Sequence, residues 1–264
     1  MQRRRFYAAP EDIDGSTVRL SREETHHLTR VLRLGRGDEV FVFDGCGNEY
    51  RCEVVGIETD RAQLEIIDRL ADEVESPVDL TLAQALAKGE KFDLIIQKAT
   101  ELGVRRIAPI ATEHADVKLK GEQAAKRLER WRRISLEALK QCGRRTLVEI
   151  LTPLSLEEFL NASDVESKAQ INSNVSRVML VFNERGGSAI GDALADVERS
   201  DAVTALIGPE GGWSEAELDL LEKRGARFVT LGPRILRTET AAIAAVTLIE
   251  HALGDLPAGA AENH

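Results

Sequence analysis

Leu231-Gly-Pro-Arg-Ile-Leu-Arg-Thr-Glu-Thr-Ala241 is the segment around which the sequence is organised. Gly232-Pro233 continues neither a strand nor a helix, because proline lacks an N–H and glycine accepts left-handed dihedral angles. The residues from Thr240 to Leu253 are almost all alanine, isoleucine, valine and leucine, which is typical of a buried helix. Charge in a turn before such a helix is unusual, and it indicates a functional site at Arg234, Arg237 and Glu239.

A second loop of the same construction lies one strand–helix unit earlier. Ile207-Gly-Pro-Glu-Gly-Gly-Trp-Ser214 also begins with Gly-Pro at the carboxyl end of a predicted strand, where α/β proteins bind ligands. Its glycines remove side chains, so that backbone N–H and C=O groups can approach a ligand closely. The two loops together predict a pocket lined by backbone atoms, with Glu210 and Arg237 beside it.

Strand–helix alternation surrounds both loops and predicts a mostly parallel sheet flanked by helices on both faces. We predict strands at Val78–Ala87, Val104–Ala111, Leu147–Leu151, Val178–Phe182, Val203–Ile207 and Phe228–Leu231. Helices are predicted from Phe92 to Leu102, from Glu122 to Cys142, after the cap Ser155, and at about 188–198, 214–224 and 240–253. The polar stretch Ala162–Ser176 is predicted to be a mobile loop.

The N-terminal part has a different pattern, with short strands and one helix. Strands are predicted at Arg5–Tyr7, Thr17–Leu20, Glu39–Phe43, Tyr50–Ile57 and Ala62–Ile67. The capping box Ser21–Glu24 begins a helix that stops at Gly35. This pattern suggests a small barrel, the shape of many RNA-binding modules. The predicted domains are a barrel at 1–72, an α/β domain at 73–254 and a flexible tail at 255–264, with a linker at about 71–77.

Composition excludes several classes of protein. The apolar run in the last helix is interrupted by polar residues, so we expect no membrane span, and no apolar segment follows the N-terminal arginines as a signal peptide requires. Cys46, Cys52 and Cys142 have no metal-ligand spacing, so we expect reduced thiols, no metal and a cytoplasmic location. Gly45-Cys-Gly47 lacks the third glycine of a dinucleotide-binding loop. Hydrolase and nucleotide-triphosphatase motifs are also missing from the sequence.

The net charge of −10 argues against general attraction to nucleic acid, but the charge is unevenly distributed. Residues 1–36 contain eight arginines and five acidic residues, and residues 117–145 contain ten lysines and arginines against three glutamates. Such segments favour phosphate-facing patches, although either could instead be a solvated surface.

The two glycine loops, G-P-E-G-G-x-S and L-G-x-R-I-L-R-T-E-T-A, resemble those of the knotted SPOUT superfamily of RNA methyltransferases. Further segments narrow the resemblance to the RsmE family of 16S rRNA (uracil-N3)-methyltransferases. They are Arg5-Phe-Tyr, His27-Leu-Thr-Arg-Val-Leu-Arg33, Gly89-Glu-Lys, Gln97-Lys-Ala-Thr-Glu-Leu-Gly-Val104, Arg130-Trp and Gln141-Cys-Gly-Arg144. His114 is a departure, since arginine is usual there.

The resemblance implies an N-terminal PUA-like β-barrel that binds RNA, followed by a SPOUT domain with a deep trefoil knot. It also implies a homodimer in which S-adenosyl-L-methionine is bound in the knot near the subunit interface. The implied reaction is methylation of N3 of a uridine, with 16S rRNA or the small ribosomal subunit as substrate.

On this basis we assign candidate residues to three roles. The cofactor would contact Leu206, Ile207, Gly208, Glu210, Gly211, Gly212, Leu231, Gly232, Ile235, Leu236, Arg237, Thr240 and Ala241. Catalysis would involve Arg237, which would orient the base or its phosphate, with Glu210 or Glu239 as base or loop brace, and an arginine that donates to a uracil carbonyl oxygen would stabilise the developing anion. RNA would contact Arg3, Arg4, Arg5, Arg30, Arg33, Lys88, Lys118, Lys120 and Arg144. Two alternatives stay open: a SPOUT enzyme that methylates ribose 2′-oxygen or tRNA, and a non-catalytic RNA-binding factor.

Overall fold

A computed structural model describes residues 3–58, 60–71, 74–115, 117, 121–169 and 176–256, with the side chains of 164–169 left aside. The chain divides into two compact units. Unit 1 extends to Glu75 and also includes Leu136–Leu147, and unit 2 consists of Ser76–Ser135 and the chain from Val148 onward. The linear boundaries predicted above place Leu136–Leu147 in the second domain, whereas these residues cluster with the N-terminal unit.

Unit 1 is built on a sheet in the order β1-β4-β5-β6-β3-β2. Its strands are β1 (Arg5–Tyr7), β2 (Ile13–Asp14), β3 (Thr17–Arg19), β4 (Glu39–Phe43), β5 (Glu49–Glu58) and β6 (Arg61–Leu70). All neighbours are antiparallel except the parallel pair β1 and β4. Two register shifts between β5 and β6 mark bulges, which bend a sheet and increase its twist. The strand β2 was not predicted from the sequence.

One helical segment covers this sheet. Ser21 accepts a hydrogen bond from the Glu24 backbone N–H and caps α1 (Arg22–His26). The segment continues as one π-helical turn, His27–Val31, and buries Leu28 completely. Two residues after the end of this turn, Arg33 has a φ of +56°. A residue with a Cβ rarely adopts that conformation, so the turn is locally strained.

Buried charges stabilise unit 1. The Arg5 guanidinium donates to Glu49 Oε1 (2.6 Å) and to the carbonyl oxygens of Leu139 (2.6 Å) and Arg144 (2.9 Å). Glu49 also accepts from Arg145 Nε at 3.1 Å. These polar groups are buried but satisfy one another, which is the condition under which buried charge is tolerated.

Unit 2 is an α/β unit. Its strands are β7 (Asp79–Ala85), β8 (Arg106–Ala111), β9 (Glu149–Ile150), β10 (Leu154–Ser155), β11 (Arg177–Phe182), β12 (Ala202–Ile207) and β13 (Arg227–Val229). Its helices are α2 (Lys91–Glu101), α3 (Glu122–Cys142), α4 (Leu156–Ala169), α5 (Ile190–Ala193), α6 (Glu215–Lys223) and α7 (Thr238–Leu253), and the last turns of α3 belong to unit 1.

The strands of unit 2 pair only in parallel, in the order β10-β8-β7-β12-β11-β13, with β9 also beside β8. Apolar side chains of α2 and α7, such as Ile96 and Val246, pack against these strands in one cluster. A second cluster includes Phe159 of α4 and Leu221 of α6. The parallel sheet flanked by helices is therefore confirmed, and the trefoil knot stays a prediction from the resemblance.

The prediction of a loop at Ala162–Ser176 is wrong for its first half. Helix α4 continues to Ala169, since Ser155 and Glu158 form a reciprocal cap at its start and Phe159 and Leu160 bury its first turns. Residues 170–175 lie outside the described part of the chain.

Within the described ranges, no helix is long and apolar enough to cross a membrane, and no group of three histidine, cysteine or acidic side chains is placed to hold a metal ion.

Burial in β5 raises the pKa of the Cys52 thiol to about 12, so this thiol stays protonated at neutral pH.

Replacing Arg5 by methionine tests the buried charge cluster. We expect Arg5→Met to lower the free energy of unfolding by about 3–5 kcal/mol, because Glu49 would be left buried without this partner. Chemical denaturation followed by circular dichroism measures the change. Arg51→Met is the control, since Arg51 pairs with the exposed Asp68 (2.9 Å) at the surface, where ion pairs contribute little, and it should cause a much smaller loss. Equal losses in both variants would contradict this account.

Candidate active site

A cavity of about 360 Å³ opens at the carboxyl ends of β11, β12 and β13. The last residue of β11, Phe182, pairs with Ile207 of β12 on one side and with Val229 of β13 on the other. Three loops therefore leave the sheet at the same level and surround the cavity. Its volume falls within the range of small-molecule and cofactor sites.

The structure brings the two predicted glycine loops together at this cavity. The predicted cofactor residues that line it are Ile207, Gly208, Glu210, Gly212, Leu231, Gly232, Ile235, Leu236, Arg237 and Ala241. Three others do not line it. Leu206 is fully buried beneath the sheet surface, Gly211 faces His114, and Thr240 lies exposed on α7.

Several other residues line the cavity and were not assigned to the cofactor from the sequence. They are Lys91, Phe182, Asn183, Glu184, Pro209, Trp213, Thr230, Arg234 and Thr238. Asn183 and Glu184 form a third loop after β11. The sequence shows that this loop follows a strand, but only the strand order places β11 between β12 and β13.

The glycines of the first loop are required by close contacts and by backbone geometry. A Cβ on Gly208 would lie 3.0–3.2 Å from the Trp213 ring, whose Nε1 donates to the Phe182 carbonyl oxygen at 3.2 Å. Gly212 has a φ of +75° and closes a turn through its N–H and the Pro209 carbonyl oxygen (3.0 Å). Side chains at these positions would change the loop, so its shape depends on glycine.

Thr238 connects the start of α7 to the first glycine loop. Its buried hydroxyl donates to the Gly208 carbonyl oxygen at 2.9 Å and accepts from Gln84 Nε2 at 3.0 Å. Gln84 belongs to β7 and pairs with Ile207 in the sheet. One hydroxyl therefore joins three segments that are far apart in the sequence.

The three predicted catalytic residues have different surroundings. Arg237 is exposed at the cavity, directly before α7, and its guanidinium makes no hydrogen bond or ion pair to another described residue. The Glu210 carboxylate is paired with Lys91 Nζ at 2.6 Å. Glu239 does not line the cavity, and its Oε2 atom is buried without a hydrogen-bond partner among the described residues.

The predicted RNA-contacting residues fall into two groups. Arg3, Arg4, Arg30, Arg33 and Lys88 are exposed. Arg5 and Arg144 are buried instead, at 7% and 4% exposure, so the prediction that they contact RNA is wrong for this structure. Arg5 is held by Glu49, and Arg144 donates to Glu75 Oε2 at 2.9 Å. Lys118 and Lys120 lie outside the described residues.

Comparison with known proteins agrees with this architecture. Residues 74–250 match the model of an RNA methyltransferase domain, and residues 20–67 match that of an RNA methyltransferase PUA domain. The chain is 30% identical over 239 residues to the ribosomal RNA small subunit methyltransferase E of Bacillus subtilis (90% of this chain, 91% of the relative). It is 34% identical over 245 residues to the protein of that name from Synechocystis (93% and 76%).

Solved structures give the same result. A ribosomal RNA small subunit methyltransferase E from Neisseria gonorrhoeae, bound to S-adenosyl methionine, superposes with a TM-score of 0.83 at 33% identity, covering 97% of this chain and 100% of the other. A protein from Legionella pneumophila, solved with the cofactor SAM bound, gives a TM-score of 0.84 at 32% identity, covering 97% of this chain and 100% of the other.

The fold and the cavity define an RNA methyltransferase with an N-terminal PUA domain. This confirms the PUA-like barrel and the methyltransferase domain that the sequence predicts. Within that class, the chain belongs to the ribosomal RNA small subunit methyltransferase E family, whose cofactor is S-adenosylmethionine. The cavity fits this cofactor in size and in the many backbone groups that its glycines leave accessible.

Substitution of Gly212 tests the left-handed turn in the first loop. We expect Gly212→Ala to weaken S-adenosylmethionine binding about tenfold, because a left-handed backbone costs a residue with a Cβ about 1–2 kcal/mol. Isothermal titration calorimetry measures the Kd. Gly191→Ala is the control, since a Cβ there would meet nothing within 4 Å and φ is not in the left-handed region. An unchanged Kd for Gly212→Ala would show that the turn does not determine affinity.

Proposed function

We propose that this protein methylates N3 of a uridine in 16S rRNA, with S-adenosylmethionine as methyl donor. The observation that carries the proposal is the cavity in the RNA methyltransferase domain, lined by two glycine loops and by Arg237, which has no ion-pair partner in the described part of the chain. Family membership supports it, since the relatives are named small subunit rRNA methyltransferases and two solved neighbours bind the cofactor.

The reaction breaks the bond between sulfur and the methyl carbon and forms a bond from uracil N3 to that carbon. When bound, the cofactor supplies an electrophilic methyl group. The protein must align the base with it, and such alignment can contribute much of the rate enhancement. The N3 proton is lost, so negative charge develops on the uracil carbonyl oxygens.

Arg237 is the residue that we assign to this developing charge. Its guanidinium lines the cavity, is exposed, and makes no other interaction with the described residues. A fork of N–H donors suits a carbonyl oxygen that becomes anionic, and preorganised donors of this kind stabilise transition states strongly. Arg237 would therefore touch the reacting base.

We assign the two glutamates to support rather than to proton abstraction. The Glu210 carboxylate is held by Lys91, and this ion pair connects the first glycine loop to the start of α2. Glu239 lies away from the cavity lining, in the first turn of α7, where an acidic side chain interacts favourably with the helix dipole. The N3 proton would pass to solvent water.

The RNA surface of the proposal consists of exposed basic residues. In unit 1 these are Arg3, Arg4, Arg30 and Arg33, and in unit 2 Lys88. Arg30 and Arg33 flank the exposed side chains of Val31 and Leu32 at the end of the π-helical turn. π-Helical turns and strained residues concentrate at functional sites, which supports RNA contact there.

The proposal also includes the predicted homodimer and the cytoplasmic location. Ile235 in the second glycine loop is 79% exposed, and Leu248 of α7 is 37% exposed. Large apolar side chains in these positions are suited to coverage by a second subunit. Sedimentation equilibrium should then give about twice the chain mass of 29.1 kDa, and a mass of one chain would remove the dimer from the proposal.

The activity is tested with labelled S-adenosylmethionine and small ribosomal subunits, or 16S rRNA, that lack the modification. We expect label in 3-methyluridine after digestion to nucleosides. Label in a 2′-O-methylated nucleoside, or label only when tRNA is supplied, would indicate another SPOUT specificity. Absence of both transfer and cofactor binding would indicate a non-catalytic RNA-binding factor. The comparison of free rRNA with assembled subunits identifies the substrate.

Replacement of Arg237 tests its role in that assay. We expect Arg237→Ala to lower kcat by about 10²–10³-fold with little change in the Kd for S-adenosylmethionine, because the donor is needed only as charge develops. Arg234→Ala removes a neighbouring exposed guanidinium from the same cavity and should reduce kcat much less. Wild-type turnover of Arg237→Ala would exclude Arg237 from the mechanism.

A further inference from the structure

The turn that follows β8 contacts the first glycine loop through His114. The Nδ1 atom of His114 lies 3.1 Å from the Gly212 carbonyl oxygen. The neighbouring Gly211 has no side chain on the surface that faces this histidine, and a Cβ there would lie 3.0 Å from His114 Cβ. The imidazole therefore lies directly against the part of the loop that contains Gly212, which lines the cavity.

A second contact holds the same turn in place. The Glu113 backbone N–H donates to Glu217 Oε1 at 2.8 Å. The other oxygen of that carboxylate accepts from the Ser214 N–H at 3.0 Å and completes the capping box of α6. The turn and the first residues of α6 are thus connected through Glu217. His114 approaches the loop from a fixed position.

The first glycine loop is held at both ends by other residues, and His114 contacts the Gly212 carbonyl oxygen between them. Thr238 holds the Gly208 carbonyl oxygen, and Trp213 is anchored to the Phe182 carbonyl oxygen. Gly211 and Gly212 both lie between these two anchors, and glycine populates many dihedral angles. A hydrogen bond to its carbonyl oxygen restricts the peptide plane that faces the cavity.

We propose that His114 is a positioning residue that holds the Gly212 peptide in the orientation that binds S-adenosylmethionine. The proposal rests on the proposed function, since it assumes that the cavity binds this cofactor. A carbonyl oxygen only accepts, so Nδ1 of His114 must carry the proton. The neutral ring is then held as the Nδ1–H tautomer, with Nε2 as its acceptor.

Cofactor affinity in three variants tests the proposal by isothermal titration calorimetry. His114→Ala should raise the Kd for S-adenosylmethionine about tenfold, as expected for the loss of one hydrogen bond that orders a binding loop. His114→Asn should restore the Kd to within about threefold, because the asparagine amide nitrogen can take the place of Nδ1 as donor.

The chain offers a matched control in His251. This residue is also exposed, and its Nδ1 lies 2.8 Å from a backbone carbonyl oxygen, that of Leu256. His251 does not line the cavity. His251→Ala should therefore leave the Kd for S-adenosylmethionine unchanged. Its melting temperature also calibrates how much stability one such hydrogen bond contributes.

Histidine NMR of the wild-type protein gives a second test that does not depend on any variant folding. With ¹⁵N-labelled histidine, the neutral His114 ring should be the Nδ1–H tautomer, whereas free histidine prefers Nε2–H. Its resonances should shift when S-adenosylmethionine is added. An Nε2–H ring, or resonances that do not respond to the cofactor, would overturn the proposal.

The outcomes separate this proposal from the proposed function. Wild-type protein that fails to bind S-adenosylmethionine contradicts the proposed function itself. If the wild type binds the cofactor and His114→Ala binds it equally well, the proposed function stands and the role of His114 is wrong. The same conclusion follows if His114→Ala weakens only the binding of RNA, because the side chain would then contact substrate instead of the loop.

Discussion

The strand order β12-β11-β13 is the constraint on which the active site depends. Phe182 pairs with both Ile207 and Val229, so three chain segments leave the parallel sheet side by side. Neighbouring strands are separated by about 4.8 Å, which places the starts of the two glycine loops about 10 Å apart. That gap, with the loop after β11 between them, is the space in which the cavity forms.

Hydrogen bonds between distant segments then determine the shape of the loops. Thr238 is bound to Gly208 and Gln84, and Trp213 is bound to Phe182. Each of these bonds joins residues from segments far apart in the chain, so the conformation of each loop depends on its neighbours. A site that is ordered before its ligand arrives loses less entropy on binding and can present its donors in fixed positions.

The arginines illustrate how burial assigns different roles to one residue type. Arg3, Arg4 and Arg5 are adjacent, but only Arg5 is enclosed, where its guanidinium binds Glu49 and three backbone carbonyl oxygens. Arg237 is exposed and free of such partners in the described structure. The planar guanidinium with its five donors suits both situations, since it can satisfy the acceptors of a buried cluster or donate to a substrate oxygen.

Periodicity and turn residues determined most of the secondary structure, because these signals are local. The alternation in Glu39–Phe43, the helix from Glu122 to Cys142 that ends before Gly143, and the Gly-Pro starts of both loops were all visible in the sequence. The resemblance carried by those loops identified the family and the cofactor. Only the tertiary structure decided which strands are neighbours and that Arg5 and Arg144 are buried. It also decided that Lys91 pairs with Glu210. Finally, it placed Glu184 in the cavity lining and His114 against the first glycine loop. These facts depend on contacts between residues far apart in the chain, and no local pattern encodes such contacts.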